Sequence, residues 1–369
     1  MFELMKREQL GELHLCQDPQ TGLEAVVAIH STLRGPALGG CRCINYPDND
    51  SAVRDAARLA RGMSYKAALA NIAHGGGKCV ILKPHGSFHR KALMQSLGDF
   101  IDSLQGRYIT AVDSGTTSQD MDIIATRTHY VTSTTREGNP SAYTAQGVFN
   151  GLRAAVKHRL GHNSLDDVHV AIQGLGHVGL LLAQLLHAEG ARLTVADTDA
   201  ERIHQCCELT GATVVAPVDI HRTLCDVFSP CALGGAINAR SLEEFNCSII
   251  AGSANNQLAE EHLGQVLHDR DILYAPDYAI NAGGLIYAAL RYAHANPATI
   301  EKKVAAIGTT LSDIFEQATH SQTATNTVAN QLAETKLYLR PTRKQLWDSR
   351  ANDIRVGPRK PPSPPHALH

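Results

Sequence analysis

Residues 174–179 read Gly174-Leu175-Gly176-His177-Val178-Gly179, and the segments flanking this G-x-G-x-x-G run decide the fold. VHVAIQ (168–173) leads directly into it, a short apolar run of the kind that forms a strand covered on both faces. A helical pattern over residues 177–189 opens on it, and a second strand-like run, 193–196, ends at Asp197, 23 residues after the first glycine. Three glycines at fixed spacing also fit a plain turn in a non-binding α/β domain. In this context they make a dinucleotide fingerprint with its physical parts in order. Gly174 permits the tight turn, Gly176 lets backbone approach a pyrophosphate, and Gly179 lets the helix pack closely. The helix N-terminus attracts phosphate charge, so Leu175, His177 and Val178 belong to the expected cradle with the glycines. Asp197 can accept both ribose hydroxyls and would repel a 2′-phosphate, which makes NAD the expected cofactor rather than NADP.

Outward from this motif, β-α alternation continues through ARLTVAD (191–197), ATVVAP (212–217), CDVFSP (225–230), CSIIAGS (247–253) and DILYAP (271–276). That pattern predicts a parallel, doubly wound sheet. Residues 298–336 read as helical. Before the fingerprint, AVVAIH (25–30), CVIL (79–82) and YITAV (108–112) read as strands, and DSAVRDAARLARG (50–62) has helical spacing. The turn-rich run TSTTREGNPS (132–141) marks a hinge, with a helix expected over 143–158. The expected fold is therefore α/β in two domains separated by a cleft, 1–138 and a Rossmann-type 139–330. A helix after about 330 could pack back on the first domain. RVGPRKPPSPPHALH (355–369) is Pro-rich and basic and reads as a disordered tail.

Composition narrows the functional classes. Thirty-four Lys and Arg against 36 Asp and Glu leave a net charge of −2 over 369 residues, which gives no electrostatic case for nucleic acid or a membrane surface. No stretch of about 18 apolar residues could span a bilayer, and charges fill the N-terminal segment where a signal peptide would be apolar. A cytoplasmic protein is expected. The nine Cys include no C-x-x-C pair and no H-E-x-x-H occurs, so no metal is expected and the thiols read as buried or incidental.

Two lysines and an aspartate stand out before the hinge. Lys66 lies in RGMSYKAA (61–68), at the end of an amphipathic helix, and Lys78 follows Gly75-Gly76-Gly77 and precedes the strand CVIL. Three successive glycines are entropically costly and make sense where backbone passes close to a ligand or another segment. A flexible turn with a solvated lysine is the plainer alternative. A lysine at the mouth of a buried strand can have its pKa lowered by desolvation or a neighbouring cation, giving a base usable near neutrality. Asp113, after YITAV, is a candidate acid/base partner or else the N-cap of the next helix.

GPALGG (35–40), RGMSYKAA, GGGKCVI (75–81), RYITAVDSGTT (107–117), the fingerprint, SPCALGG (229–235), ANNQ (254–257) and APDYAINAGG (275–284) occur in that order. Together they resemble the Glu/Leu/Phe/Val amino-acid dehydrogenase family, and within it the leucine dehydrogenase branch, over about residues 10–335. The resemblance implies a substrate domain followed by a nucleotide domain, and a homo-oligomer acting on an amino acid or 2-oxo acid and ammonia. By this resemblance Lys66 binds the substrate α-carboxylate, Lys78 activates water and polarises the carbinolamine, and Asp113 exchanges protons with the substrate nitrogen. Thr144, Cys231, Ala232, Ala254, Asn255 and Asn281 match positions around the nicotinamide or substrate.

For the substrate side chain the same resemblance points to Leu38, Gly39, Ala111, Leu285 and Ala288. The glutamate branch has a lysine where this chain has Leu38, and burying an unpaired carboxylate there would be expensive. Ala111 is similar to the leucine branch, Leu285 to the phenylalanine branch. Tyr287 replaces an Asn usual in the leucine branch, an acidic residue expected nearby is absent from Ala288-Ala289-Leu290-Arg291, and Val112 stands where many members carry Glu. Branched-chain deamination is the leading expectation. An aromatic, biosynthetic enzyme and a catalytically silent NAD-binding regulator are the alternatives.

Overall fold

Strand-forming and helix-forming stretches sort into two sheets. The computed structural model describes residues 1–232 and 234–338; the expected disordered stretch 355–369 lies outside the described residues, as does Leu233 in SPCALGG. The first sheet contains β1 (Glu12–Asp18), β2 (Leu23–Ser31), β3 (Ala37–Ile44), β4 (Gly75–Leu82) and β5 (Tyr108–Val112), in the spatial order β1-β2-β4-β3-β5. It is mixed: β1 and β4 run antiparallel to β2, and β3 runs parallel to β4 and β5. Helices α1 (Phe2–Arg7), α2 (Asn49–Leu69), α3 (Arg90–Ser103) and α4 (Ser118–Ala125) belong to this half.

The helix expected over 50–62 extends to Leu69 as α2, started by the Asp48 carboxylate, which accepts the Ser51 N–H at 2.6 Å. Ala52, Ala56 and Ala60 recur every four residues on its buried face, and their small size lets the helix lie close on β4. Of Gly75, Gly76 and Gly77, the middle one serves that approach, and the other two make room for the Ser31 carbonyl and the Tyr108 ring. All three are strand residues, and a Cβ on Gly76 would stand 2.0 Å from the Ser64 backbone nitrogen. The flexible-turn alternative is thereby overturned, because Lys78 sits in the same strand and is only 6% exposed.

The second half begins with α5 (Ser141–Leu160) and continues through β6 (His169–Gln173), α6 (His177–Ala188), β7 (Arg192–Ala196), α7 (Ala200–Thr210), β8 (Thr213–Val214), β9 (Val227–Pro230), α8 (Ala239–Glu244), β10 (Ile249–Ile250), α9 (Leu263–Asp269) and β11 (Leu273–Tyr274). All six strands are parallel, in the order β8-β7-β6-β9-β10-β11. The chain therefore winds outward from β6 in both directions, a doubly wound Rossmann arrangement whose crevice opens at the C-terminal ends of β6 and β9.

Helices α10 (Asp277–Ile280), α11 (Gly283–Tyr292), α12 (Pro297–Ser321) and α13 (Thr325–Tyr338) complete the described chain. The single helical stretch expected over 298–336 is broken after Ser321, where Gln322 is left-handed at φ +50°. Beyond the break, α13 returns to the first half: Arg34 Nη1 donates to the Lys336 carbonyl at 2.9 Å and the Tyr65 hydroxyl to Glu334. No helix among the described residues is long and apolar enough to cross a membrane.

Candidate active site

One cleft of about 900 Å³ gathers most of the residues singled out in the sequence. Leu38, Gly39, Lys66, Lys78, Ala111 and Asp113 reach it from the first half. From the second come Thr144, Gly176, His177, Val178, Cys231, Ala232, Ala254, Asn255, Asn281, Leu285 and Ala288. Gly174, Leu175, Gly179 and Asp197 do not line it.

On the first-half wall, β3 seats the acid. Leu38, Gly40 and Arg42 alternate along the strand, and all three line the cleft. A Cβ on Gly40 would come within 2.7 Å of the Asp113 Cβ, so glycine there makes room for the carboxylate. Asp113 Oδ2 pairs with the Lys78 ammonium and takes Arg42 Nε at 3.2 Å. Burial favours the neutral acid, but Lys78 and Arg42 outweigh it and hold the carboxyl down at about 2. The N-cap alternative for Asp113 is excluded, since Thr117 caps α4. Sequence reasoning passed over Arg42 and its second partner Asp55, at 2.9 Å. The only sequence signal was a cation two residues beyond Gly40.

Lys66, in the last turn of α2, donates to Asn255 Oδ1 at 3.2 Å from the loop after β10. Burial lowers its pKa to about 8, with Asp277 pulling the other way. Asp277 is itself pushed up by burial against the field of Lys66, and its carboxylate accepts the Asn256 N–H at 2.7 Å. It is the third residue that sequence reasoning missed. Asn281 donates to the Ser253 carbonyl at 3.1 Å and to Asn255 Oδ1 at 2.9 Å, while its own Oδ1 is buried without a partner.

The residues of the second half fit a nicotinamide dinucleotide. Gly174 turns at φ +98°, and a Cβ on Gly179 would lie 2.0 Å from the Gly174 carbonyl oxygen, the close packing expected of the first and third glycines. An added Cβ on Gly176 meets nothing within 4 Å, and α6 opens there without a side-chain cap. Its first N–H groups are thus available to an anion. Both Asp197 oxygens are oriented by backbone, from Leu175 N at 2.6 Å and Asp199 N at 2.9 Å.

The apolar wall combines Leu38, 1% exposed, with Ala111, Leu285 and Ala288. Tyr287 does not line the cleft. Its ring stacks on Tyr143 at 4.6 Å and its hydroxyl donates to the Glu137 carbonyl, tying α11 to the segment expected as a hinge.

Comparison with known proteins agrees with this geometry. Residues 10–130 match the model of the Glu/Leu/Phe/Val dehydrogenase dimerisation domain, and 196–340 that of Glutamate/Leucine/Phenylalanine/Valine dehydrogenase. Leucine dehydrogenase of Thermoactinomyces intermedius is 43% identical over 359 residues, covering 96% of this chain and 98% of that protein. Phenylalanine dehydrogenase of the same organism is 40% identical over 95% of this chain and 96% of its own. The crystal structure of L-tryptophan dehydrogenase from Nostoc punctiforme superposes with a TM-score of 0.81 at 41% identity, covering 91% of this chain and 98% of that one. The chain belongs to the Glu/Leu/Phe/Val dehydrogenase family, oxidoreductases that act on the CH–NH2 group of amino acids with a nicotinamide cofactor.

Proposed function

We propose that this protein catalyses the reversible, NAD-dependent oxidative deamination of an apolar L-amino acid, leucine and its branched-chain relatives first, to the 2-oxo acid, ammonia and NADH. The carrying observation is the convergence of Lys66, Lys78 and Asp113 with the uncapped N-terminus of α6 in one cleft that has an apolar wall. The nicotinamide, when bound, accepts hydride from the substrate Cα. Lys66 holds the α-carboxylate. Lys78 directs water onto the resulting iminium carbon and steadies the carbinolamine oxygen, and Asp113 takes and returns the protons at the nitrogen. Asp197 favours NAD. The division at 138/139, closure about residues 132–143, a homo-oligomer and a cytoplasmic setting complete the reading; the match of the N-terminal half to a dimerisation domain and nine free thiols support the last two.

Leu38 supports an apolar substrate, because its own side chain offers no charge to pair with a side-chain carboxylate. Leu285, Ala288 and the 40–41% identity to phenylalanine and tryptophan dehydrogenases keep an aromatic substrate as the second reading. A kcat/KM panel of Leu, Ile, Val, Phe and Trp with NAD and with NADP decides. The highest value is expected for a branched-chain amino acid with NAD, and no NADH formation with any of the five would end the proposal. Pocket differences of a few methylenes are worth only about 1–3 kcal/mol, so minor activity on neighbours is expected.

The lysine in the last turn of α2 gives a pH test. Its pKa of about 8 means that the charge is present below that pH and lost above it. KM for 4-methyl-2-oxopentanoate, whose carboxylate stays ionised throughout, should rise as pH passes 8. In Lys66→Arg that rise should disappear. A KM independent of pH from 7 to 10 in the wild type would remove Lys66 from carboxylate binding.

A further inference from the structure

We propose that Arg42, anchored by Asp55, is a positioning residue for Asp113, retaining its carboxylate in the cleft when Lys78 releases it to work on the substrate. The proposal rests on the roles given above to Lys78 and Asp113.

Asp113 Oδ2 serves two cations that differ in freedom. Lys78 is a point charge on a flexible stem, and the reaction asks it to turn toward water and the substrate carbon. Arg42 cannot follow. Its guanidinium bridges two carboxylates, Nε to Asp113 at 3.2 Å and Nη1 to Asp55 Oδ2 at 2.9 Å, and the Tyr46 hydroxyl reaches the same Asp55 oxygen at 2.6 Å. Asp55 is fixed in turn by α2, on the side of Arg42 away from Asp113. Once Lys78 leaves, an aspartate above a glycine keeps only the Ser114 backbone N–H besides Arg42 to hold its rotamer. A rigid fork tethered at its far end supplies that hold at no further entropic cost.

The charges facing Asp113 are consistent with this division of labour. Lys78 approaches from β4, Arg42 from β3 and the field of Lys66 from α2; the Cys41 thiol beside it is pushed up to about 11 by burial and stays neutral. Behind Arg42 stand Asp55 and Tyr46, and across the cleft Asp277 faces Lys66. With Lys78 engaged elsewhere, Arg42 is the remaining cation paired directly with the acid among the described residues.

The test is the pH dependence of steady-state kinetics for the full-length Arg42→Gln variant, with NADH binding followed by fluorescence and folding by thermal unfolding. We expect kcat to fall about ten- to thirtyfold while KM and the NADH Kd stay within about threefold, the split of a group that acts on the reacting complex. The acid limb of kcat should move up by about one pH unit, since losing a neighbouring cation raises the Asp113 pKa. Asp55→Asn removes the anchor and keeps the Arg42 charge. It should lower kcat without raising the acid limb, which a purely electrostatic role would not produce. Arg42→Lys keeps charge but cannot span both carboxylates, so kcat should recover only in part. If Arg42→Gln does not fold, or loses NADH binding as well, these two variants decide by the same criteria.

The proposal is overturned by a folded, NADH-binding Arg42→Gln whose kcat and pH profile match the wild type, or whose defect lies in KM alone. Asp113→Asn separates this from failure of the underlying reading. If Asp113→Asn turns over normally, the reading falls. If it is inactive while Arg42→Gln behaves as wild type, the reading stands and only the role of Arg42 is lost.

Discussion

Replacing Lys78 with alanine should lower kcat by at least about a thousandfold, within the range general acid–base groups contribute when electrostatic stabilisation is lost with them. The NADH Kd should stay within about threefold of wild type, because the glycine fingerprint belongs to the other sheet and none of its hydrogen bonds involves β4. In the proposed mechanism Lys78 is the group that acts on water. It is held at the floor of the cleft by a strand, β4, paired on both sides, and it is 6% exposed. The backbone of Lys78 is therefore fixed, and the variant cannot borrow a neighbour: Arg42 is tied to Asp55 and Lys66 points to Asn255.

The same substitution also removes one of two cations from Asp113. Breaking a buried pair costs roughly 3–5 kcal/mol when the remaining charge is left uncompensated. Here Arg42 still pairs with Asp113, so the loss should fall at or below the lower end and leave a folded protein. A stopped-flow or steady-state assay beside a fluorescence titration with NADH tests the pair of claims. If turnover and nucleotide binding decline together, Lys78 is supporting the fold of the cleft and the catalytic assignment is wrong.

Local pattern carried some elements and long-range contact decided others. Residues 168–197 were legible because each part of the fingerprint is a short-range requirement: a buried strand, a turn that needs Gly174 at φ +98°, and a helix that needs Gly179 against the Gly174 carbonyl. YITAV became β5 with its expected limits for the same reason, an apolar run ended by a polar turn. β3 and the first half of β4 were not legible. Gly39, Gly40 and Gly75–Gly77 have the poorest strand propensity, and they are glycine because neighbouring backbone and side chains leave no space for a Cβ. Those close contacts join residues tens of positions apart. The Asp55–Arg42–Asp113 bridge likewise joins α2, β3 and the end of β5, and Asp277 meets Lys66 only across the cleft. No periodicity within one segment encodes such pairs. In contrast, the resemblance identified the lysines and Asp113 because motif order survives where packing is not visible.

Asp197→Ala should weaken NADH about ten- to thirtyfold and move the NADPH-to-NADH preference by about two orders of magnitude, with kcat at saturating cofactor changed far less. The size follows from what the carboxylate does at the end of β7. Its oxygens take the Leu175 and Asp199 N–H groups, and these bonds, together with Arg202, pull its pKa down against burial, so the group is an anion at working pH. An anion oriented in this way would contribute hydrogen bonds to ribose hydroxyls worth about 1.5–3 kcal/mol. It also opposes a 2′-phosphate, which carries close to two negative charges, and alanine removes both effects at once. Part of the loss will come from the turn itself, since the Leu175 N–H loses its acceptor within the fingerprint. Asp197→Asn separates the contributions. It keeps an acceptor for Leu175 and removes the charge, so NADPH should gain while NADH loses less than in the alanine variant. Fluorescence titrations of both cofactors with the three proteins give the answer. An unchanged ratio of NADPH to NADH affinity in both variants would place the ribose elsewhere and leave Asp197 as a brace for the glycine turn.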